Sequence, residues 1–254
     1  MQQRPTRKFR STTVASVTTL SPHLKRIVLT GDDLHDFPLQ QDGIHVKAVL
    51  SPDGKPFSDD SWREATKRSY TIREFDPVNK HLVLDFVINR HSGPATNWAA
   101  QAKVGDYIGI AGPGEPKLTD FSANSYLLVG DLTSVNAVNG YAKFIPASAQ
   151  LTAIVTVPTR EDIIEMDAGK HLNVHWHVED ETSLTLTEFV EKWVANIPSD
   201  TQVFLGLEAS QVRAVKGLLL NEYNVNRLTM HATGYWKQGM DADRFGADKK
   251  RNPL

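Results

Sequence analysis

No cysteine occurs among the 254 residues, which excludes disulfides, thiolate-held iron–sulfur clusters and cysteine nucleophiles. Long apolar runs are also missing. No segment approaches the roughly 20 apolar residues that a membrane helix needs, and Ser11–Leu20 carries too many Thr and Ser residues for the apolar core of a secretion signal. A basic excess is absent as well. Lys and Arg total 28 against 30 Asp and Glu, a formal charge of -2, so general nucleic-acid binding has no support. Neither Gly-x-Ser-x-Gly nor Gly-x-Gly-x-x-Gly is present, which removes the serine-hydrolase elbow and the standard dinucleotide fingerprint. Any redox chemistry therefore rests on a bound organic cofactor or on a metal carried by something else. A cytoplasmic monomer is the expectation, with no membrane and no nucleic-acid partner.

What is present falls into two rhythms. Thr12–Thr19, Lys25–Thr30, His45–Ser51, Lys67–Arg73, His81–Ile88 and Asp106–Ala111 are short, β-branched or alternating runs separated by Gly, Pro, Asp and Asn. Six such runs predict a six-stranded antiparallel barrel. One short helix stands out among them, opening near Pro94 and covering Trp98–Gln101, since proline is well tolerated at a first helical position.

After Asp120 strands alternate with helices. Strands are predicted at Tyr126–Asp131, Leu151–Val157, Leu172–Val178, Gln202–Leu207 and Arg227–Thr233, with a helical pattern over Val135–Phe144. Leu186, Phe189, Val190, Trp193, Val194 and Ile197 lie on one helical face, opened by a capping box of Thr185 with Glu188. Ser210 is placed as the cap of a helix running to about Glu222. This alternation implies a parallel sheet with helices on its faces. The expected organisation is a barrel domain at 1–120 and an α/β domain at 121–254, the latter ending in a basic tail. A ligand cleft between two domains, or at the carboxyl edge of the parallel sheet, is the expected site.

The chemistry concentrates in Arg68-Ser69-Tyr70-Thr71-Ile72-Arg73, followed by Asp85-Phe86-Val87-Ile88-Asn89 and Ser92-Gly93-Pro94-Ala95-Thr96-Asn97-Trp98. Tyr70 offers a π-face on which an isoalloxazine ring can stack. Thr71 brings a hydroxyl or amide near the flavin N5. Arg68 and Arg73 suit phosphate oxygens through bidentate hydrogen bonds. The turn into the helix at Gly93 and Pro94 adds unpaired N–H groups and the positive end of a dipole. Together they fit FAD.

These segments resemble the siderophore-interacting proteins, flavin-dependent ferric-siderophore reductases of the ferredoxin-reductase-like superfamily. The likeness also includes Gly105-Asp106, Gly112-Pro113, Gly130-Asp131 and Gly234-Tyr235-Trp236-Lys237-Gln238-Gly239. It implies an FAD-binding barrel and a nucleotide-binding α/β domain. The implied activity passes electrons from NADH, NADPH or ferredoxin through FAD to iron(III) held by a siderophore. It places Arg68, Ser69, Tyr70, Thr71, Arg73, Asp85, Phe86, Val87, Asn89, Gly93, Pro94, Ala95, Thr96 and Trp98 at the cofactor, with Tyr70 and Thr71 closest to the chemistry. Asp131 and Thr133 are expected to meet the nicotinamide nucleotide, and Tyr235 and Trp236 to cover the ring or the nicotinamide pocket.

Two departures from the family pattern stand out. Asn89 occupies a position where members often carry His, and Leu132–Ala137 lacks the Glu and Pro of the usual turn. Arg160 suits the 2′-phosphate of NADPH while Glu161 and Asp162 oppose it, so the sequence leaves the two nucleotides open. A general flavin reductase and a non-catalytic flavin or siderophore binder also stay open. Anionic ferric siderophores call for a cationic acceptor side; Lys47, Arg244, Lys249, Lys250 and Arg251, with Lys237, are the expected clamp. His175 and His177 lie on one strand face but lack a third ligand, so no metal site is expected, and His45 and His231 are read the same way.

Overall fold

The computed structural model describes residues 8–58, 60–168 and 172–252. They divide into two compact units between Pro116 and Lys117. In the first, six strands run in chain order as β1 (Phe9–Ser21), β2 (Leu24–Thr30), β3 (His45–Leu50), β4 (Thr66–Asp76), β5 (His81–Val87) and β6 (Tyr107–Ala111). They close into an antiparallel barrel in the order β1-β2-β5-β4-β3-β6. Alternation explains the closure. Leu82, Leu84 and Phe86 of β5 point into the barrel core with Ile27 and Leu29 of β2, while Asp85 takes the other face. Each such apolar side chain contributes about 1.5–3 kcal/mol by leaving water. Gly109 on β6 has no side chain because the Phe9 ring occupies that space; a Cβ there would lie 2.4 Å from the ring. A short helix, α1 (Pro94–Gln101), packs Ala95 and Ala99 into the same core.

The second unit holds a five-stranded parallel sheet, ordered β11-β10-β7-β8-β9. Its elements are β7 (Ser125–Asp131), α2 (Val135–Phe144), β8 (Gln150–Val157), β9 (Val174–Val178), α3 (Leu186–Val194), β10 (Gln202–Glu208), α4 (Ala209–Asn221), β11 (Met230–Trp236) and α5 (Ala242–Arg251). The Thr185–Glu188 capping box opens α3, with both reciprocal hydrogen bonds made. The chain runs from β7 outward to β8 and β9, then crosses back to β10 on the other side of β7. The strand order therefore reverses between β7 and β10, where ligands of open α/β sheets bind at the carboxyl ends.

Three expectations needed correction. The helix after β10 is capped by the Glu208 carboxylate, which accepts from Ser210 N at 2.5 Å and Gln211 N at 3.2 Å, and not by Ser210. Residues 227–229 form a single turn capped by Asn226, so the last strand begins at Met230. The basic tail is the helix α5, capped by Asp241 and anchored by buried Phe245.

Candidate functional site

In the barrel, β3 and β4 bring the motif together by register. Lys47 pairs with Ser69, Val46 with Tyr70 and Ala48 with Arg68. The Lys47 amine donates to the Ser69 hydroxyl at 2.6 Å on an exposed surface. Tyr70 is half-buried, its ring centroid 4.0 Å from Phe86, and Phe86 lies 5.7 Å from Trp98 of α1. The Tyr70 phenol shares a hydrogen bond with Thr96, and burial raises its pKa well above the ordinary tyrosine value. Thr96 Oγ1 in turn lies 3.1 Å from His91 Nε2. A chain of Tyr70, Thr96 and His91 thus fixes the aromatic plane. His91, whose pKa burial and then Arg90 lower, escaped sequence reasoning because it sits in a loop with no motif of its own.

The start of α1 is open. No side chain caps its first turn, Pro94 occupies the first position, and a Cβ on Gly93 would meet nothing within 4 Å. Unpaired N–H groups beside free space form an anion cradle. Arg68 is half-buried, with one nitrogen donating to the Lys67 carbonyl at 2.9 Å.

Other expected cofactor residues are placed differently. Arg73 is the extra residue of a β-bulge between Ile72 and Glu74 and is buried, 3.9 Å from the Glu74 carboxylate. Asp85 faces away from the core and grips Arg26 through two hydrogen bonds of 2.8 and 2.9 Å. The side chains of Phe86 and Ala95 are buried in the barrel core, and Val87 is buried too. Thr71 is buried opposite His45. Asn89 adopts a left-handed backbone, φ 60°, and its amide donates to the Pro22 carbonyl at 2.9 Å.

In the α/β unit the turn after β7 is closed by its own side chains. Asp131 accepts from Thr133 N at 2.8 Å, from the Thr133 hydroxyl at 2.5 Å and from Trp236 Nε1 at 2.8 Å. Its carboxylate, expected to meet a nucleotide, instead ties β11 to β7. Burial raises its pKa, against the pull of those donors. Ser134, also missed from sequence, donates to the Gly206 carbonyl at 2.5 Å and accepts from Asp131 N, pinning the turn to β10. Gly130 permits this, since a Cβ there would lie 2.6 Å from the Ser134 hydroxyl. At the strand-order reversal α4 is capped by Glu208, whereas α2 starts with no side-chain cap. Tyr235 packs edge-on against Phe204.

The expected clamp cations are partly committed to the fold. The Lys249 amine donates to the Gly234 carbonyl at 2.9 Å and lies over the Phe245 ring. Lys237 pairs with Asp248 at 2.9 Å, and Arg244 with Asp241 at 3.2 Å. Lys250 and Arg251 are exposed on α5.

His177 is tied at both nitrogens, 2.9 Å from the Thr156 hydroxyl and 2.9 Å from the Leu184 carbonyl, so it donates from Nε2 and accepts at Nδ1. His175 stacks on Trp193 at 3.4 Å. Among the described residues no three His, Asp or Glu side chains gather as a metal site.

His231 stacks parallel to Phe204, and its Nε2 is buried without a partner. Burial, then the Lys117 charge, lowers its pKa from 6.5 to about 4. A depressed value means that its contribution to stability is whole above pH 6.5 and is lost as pH falls toward 4. His231→Leu is expected to remove on the order of 2 kcal/mol of that acid-induced loss, read as a flatter stability profile between those pH values in urea unfolding.

Residues 13–117 match the siderophore-interacting FAD-binding domain, and residues 123–239 match the siderophore-interacting protein family. The chain is 27% identical over 243 residues to the ferric vibriobactin reductase ViuB of Vibrio cholerae, covering 91% of this chain and 90% of that one. It is 25% identical over 247 residues to the ferric acinetobactin reductase of Acinetobacter baumannii, covering 94% and 81%. The crystal structure of the siderophore-interacting protein SipS from Aeromonas hydrophila superimposes with a TM-score of 0.81 at 30% identity, over 97% and 98% of the two chains. The ferredoxin reductase of carbazole 1,9a-dioxygenase, at 14% identity and a TM-score of 0.70 over 91% and 68%, shares the fold.

Proposed function

The chain belongs to the siderophore-interacting protein family, and we propose on that premise that it is an FAD-dependent reductase of ferric siderophores, drawing its electrons from a nicotinamide nucleotide. The observation that carries this reading is the convergence on one barrel of Arg68, Ser69, a half-buried Tyr70 ring and the uncapped start of α1, within the segment that matches an FAD-binding domain. The donor set fits the group: an aromatic plane, a guanidinium and open backbone N–H groups answer an isoalloxazine ring and a pyrophosphate.

Bound FAD supplies the exchange between a two-electron hydride donor and one-electron acceptors. The residues do the rest. Tyr70, braced by Thr96 and His91, holds the ring plane. Arg68 and the α1 N–H groups hold phosphate. Asn89 puts a side chain that does not titrate where family members often carry His. In the α/β unit Trp236, held by Asp131, shapes the turn after β7, at the strand-order reversal where a nucleotide would bind. One hydride carries two electrons, so each nicotinamide oxidised reduces two ferric complexes, and Fe(II), weakly held, is released.

The test is anaerobic stopped flow on the yellow, FAD-loaded protein. NADH or NADPH should bleach the flavin band, and a ferric siderophore should restore it; reduced ferredoxin, supplied separately, identifies the alternative donor. A colourless protein that cannot take up FAD, or a reduced flavin that no ferric siderophore reoxidises, overturns the reading.

Lys47, half-buried beside the exposed Ser69, is assigned to the anionic acceptor. Lys47→Glu is expected to raise the KM for the ferric complex about tenfold with kcat little changed. An unchanged KM removes Lys47 from the acceptor site.

A further inference from the structure

The end of β8 is the place where a doubly wound sheet reads the adenosine ribose of a dinucleotide. A carboxylate there takes the 2′-hydroxyl, and an arginine there takes a 2′-phosphate. Both residue types are present here, and the structure couples them. Arg160, three residues beyond β8, donates through Nε to Glu181 Oε1 at 2.6 Å and through a terminal nitrogen to Glu181 Oε2. Glu181 lies in the loop after β9. One bidentate edge of the guanidinium is therefore spent on one carboxylate, in the geometry a phosphate would otherwise use. Asp162 is engaged in its own capping box with Thr159. Across residues 160–162 and 179–181, five of the six side chains are carboxylates.

A 2′-phosphate would bring a charge of about -1.5 to -2 into this neighbourhood. It would have to displace Glu181 from Arg160 and then sit beside the displaced carboxylate. A free 2′-hydroxyl carries no such charge and can donate to a carboxylate. We propose that this protein selects NADH over NADPH, and that Glu181 is the positioning residue that enforces the choice by holding Arg160. The inference rests on the reading that the α/β unit takes a nicotinamide nucleotide. The pair is largely exposed, with side-chain exposures of 71% for Arg160 and 39% for Glu181, so breaking it leaves the fold intact.

The experiment uses the FAD-loaded full chain. Steady-state rates with each nucleotide are measured anaerobically, and binding of 2′,5′-ADP and 5′-ADP is followed by calorimetry. The native protein is expected to favour NADH by at least about tenfold in kcat/KM, a margin of the size that one charged contact confers. Glu181→Ala should close that gap by about tenfold, through the KM for NADPH. It should tighten 2′,5′-ADP to the same degree, a gain that shrinks with added salt, and leave 5′-ADP unchanged. Adding Arg160→Ala should cancel the gain.

Equal use of both nucleotides by the native protein overturns the proposal, as does a Glu181→Ala protein whose affinity for 2′,5′-ADP is unaltered. If neither nucleotide nor fragment binds, while dithionite-reduced protein still reduces a ferric siderophore, the proposal and the nicotinamide reading fall together and FAD-dependent ferric reduction stands.

Discussion

Replacing Arg26 with methionine is expected to destabilise the barrel by about 3–5 kcal/mol, because it takes a two-pronged cation away from a buried carboxylate. The Asp85 side chain is 1% exposed and meets Arg26 in a two-pronged pair across the β2–β5 register. Methionine keeps the apolar stem and removes the cation. The double variant Arg26→Met with Asp85→Leu should recover most of the loss, since apolar replacements of a buried pair are often neutral. The measurement is urea unfolding followed through release of the flavin, which reports on the barrel. FAD affinity of the folded Arg26→Met protein should stay within about twofold, because the pair lies on the strand face away from the core while Tyr70 packs against the core. Weakened FAD binding at unchanged stability would return Asp85 to the cofactor.

This pair also marks how far the sequence is legible. Alternation along His81–Val87 shows a strand, and the Arg68–Tyr70 spacing puts both residues on one face, so the barrel and the heart of the site follow from local pattern. Asp85 cannot be read that way. Its partner lies 59 residues upstream, and only the closed pairing of β2 with β5 brings them together. Arg73 fails for a different reason. Three residues from Tyr70, it would face the opposite side of a regular strand, and the bulge at Ile72/Glu74 breaks the period of two where it lies buried.

In the α/β unit, α2 is legible to its ends because its apolar face repeats cleanly. The helix α5 is not, because seven of its ten residues are charged or glycine and Phe245 alone is buried. Glu208 ends β10 and caps α4 at once, a double use that propensity cannot reveal. The link from Trp236 to Asp131 spans 105 residues and exists only because a single strand, β10, separates β11 from β7 in the sheet.

Arg68→Leu and Tyr70→Leu are each expected to raise the FAD dissociation constant by about 10- to 100-fold, the first through a lost charge-assisted phosphate contact and the second through a lost stacking face. Leucine at position 70 still fills the apolar space against Phe86, so the fold should survive. It also leaves the Thr96 hydroxyl without its phenol partner while His91 remains 3.1 Å away. Tyr70→Phe separates the two effects. It keeps the ring and should keep FAD within about threefold, the range of one neutral hydrogen bond. The two sites are two residues apart on one strand face and would share one ligand, so the double variant should show coupling rather than simple addition. Fluorescence titration of the stripped protein with FAD gives the constants, and circular dichroism checks the fold. High salt distinguishes the variants: it should weaken the native protein toward the Arg68→Leu value while leaving that variant nearly flat, because the ionic contact alone is screened. Retention of native FAD affinity by both leucine variants would move the cofactor off β4 and remove the barrel site from the reductase.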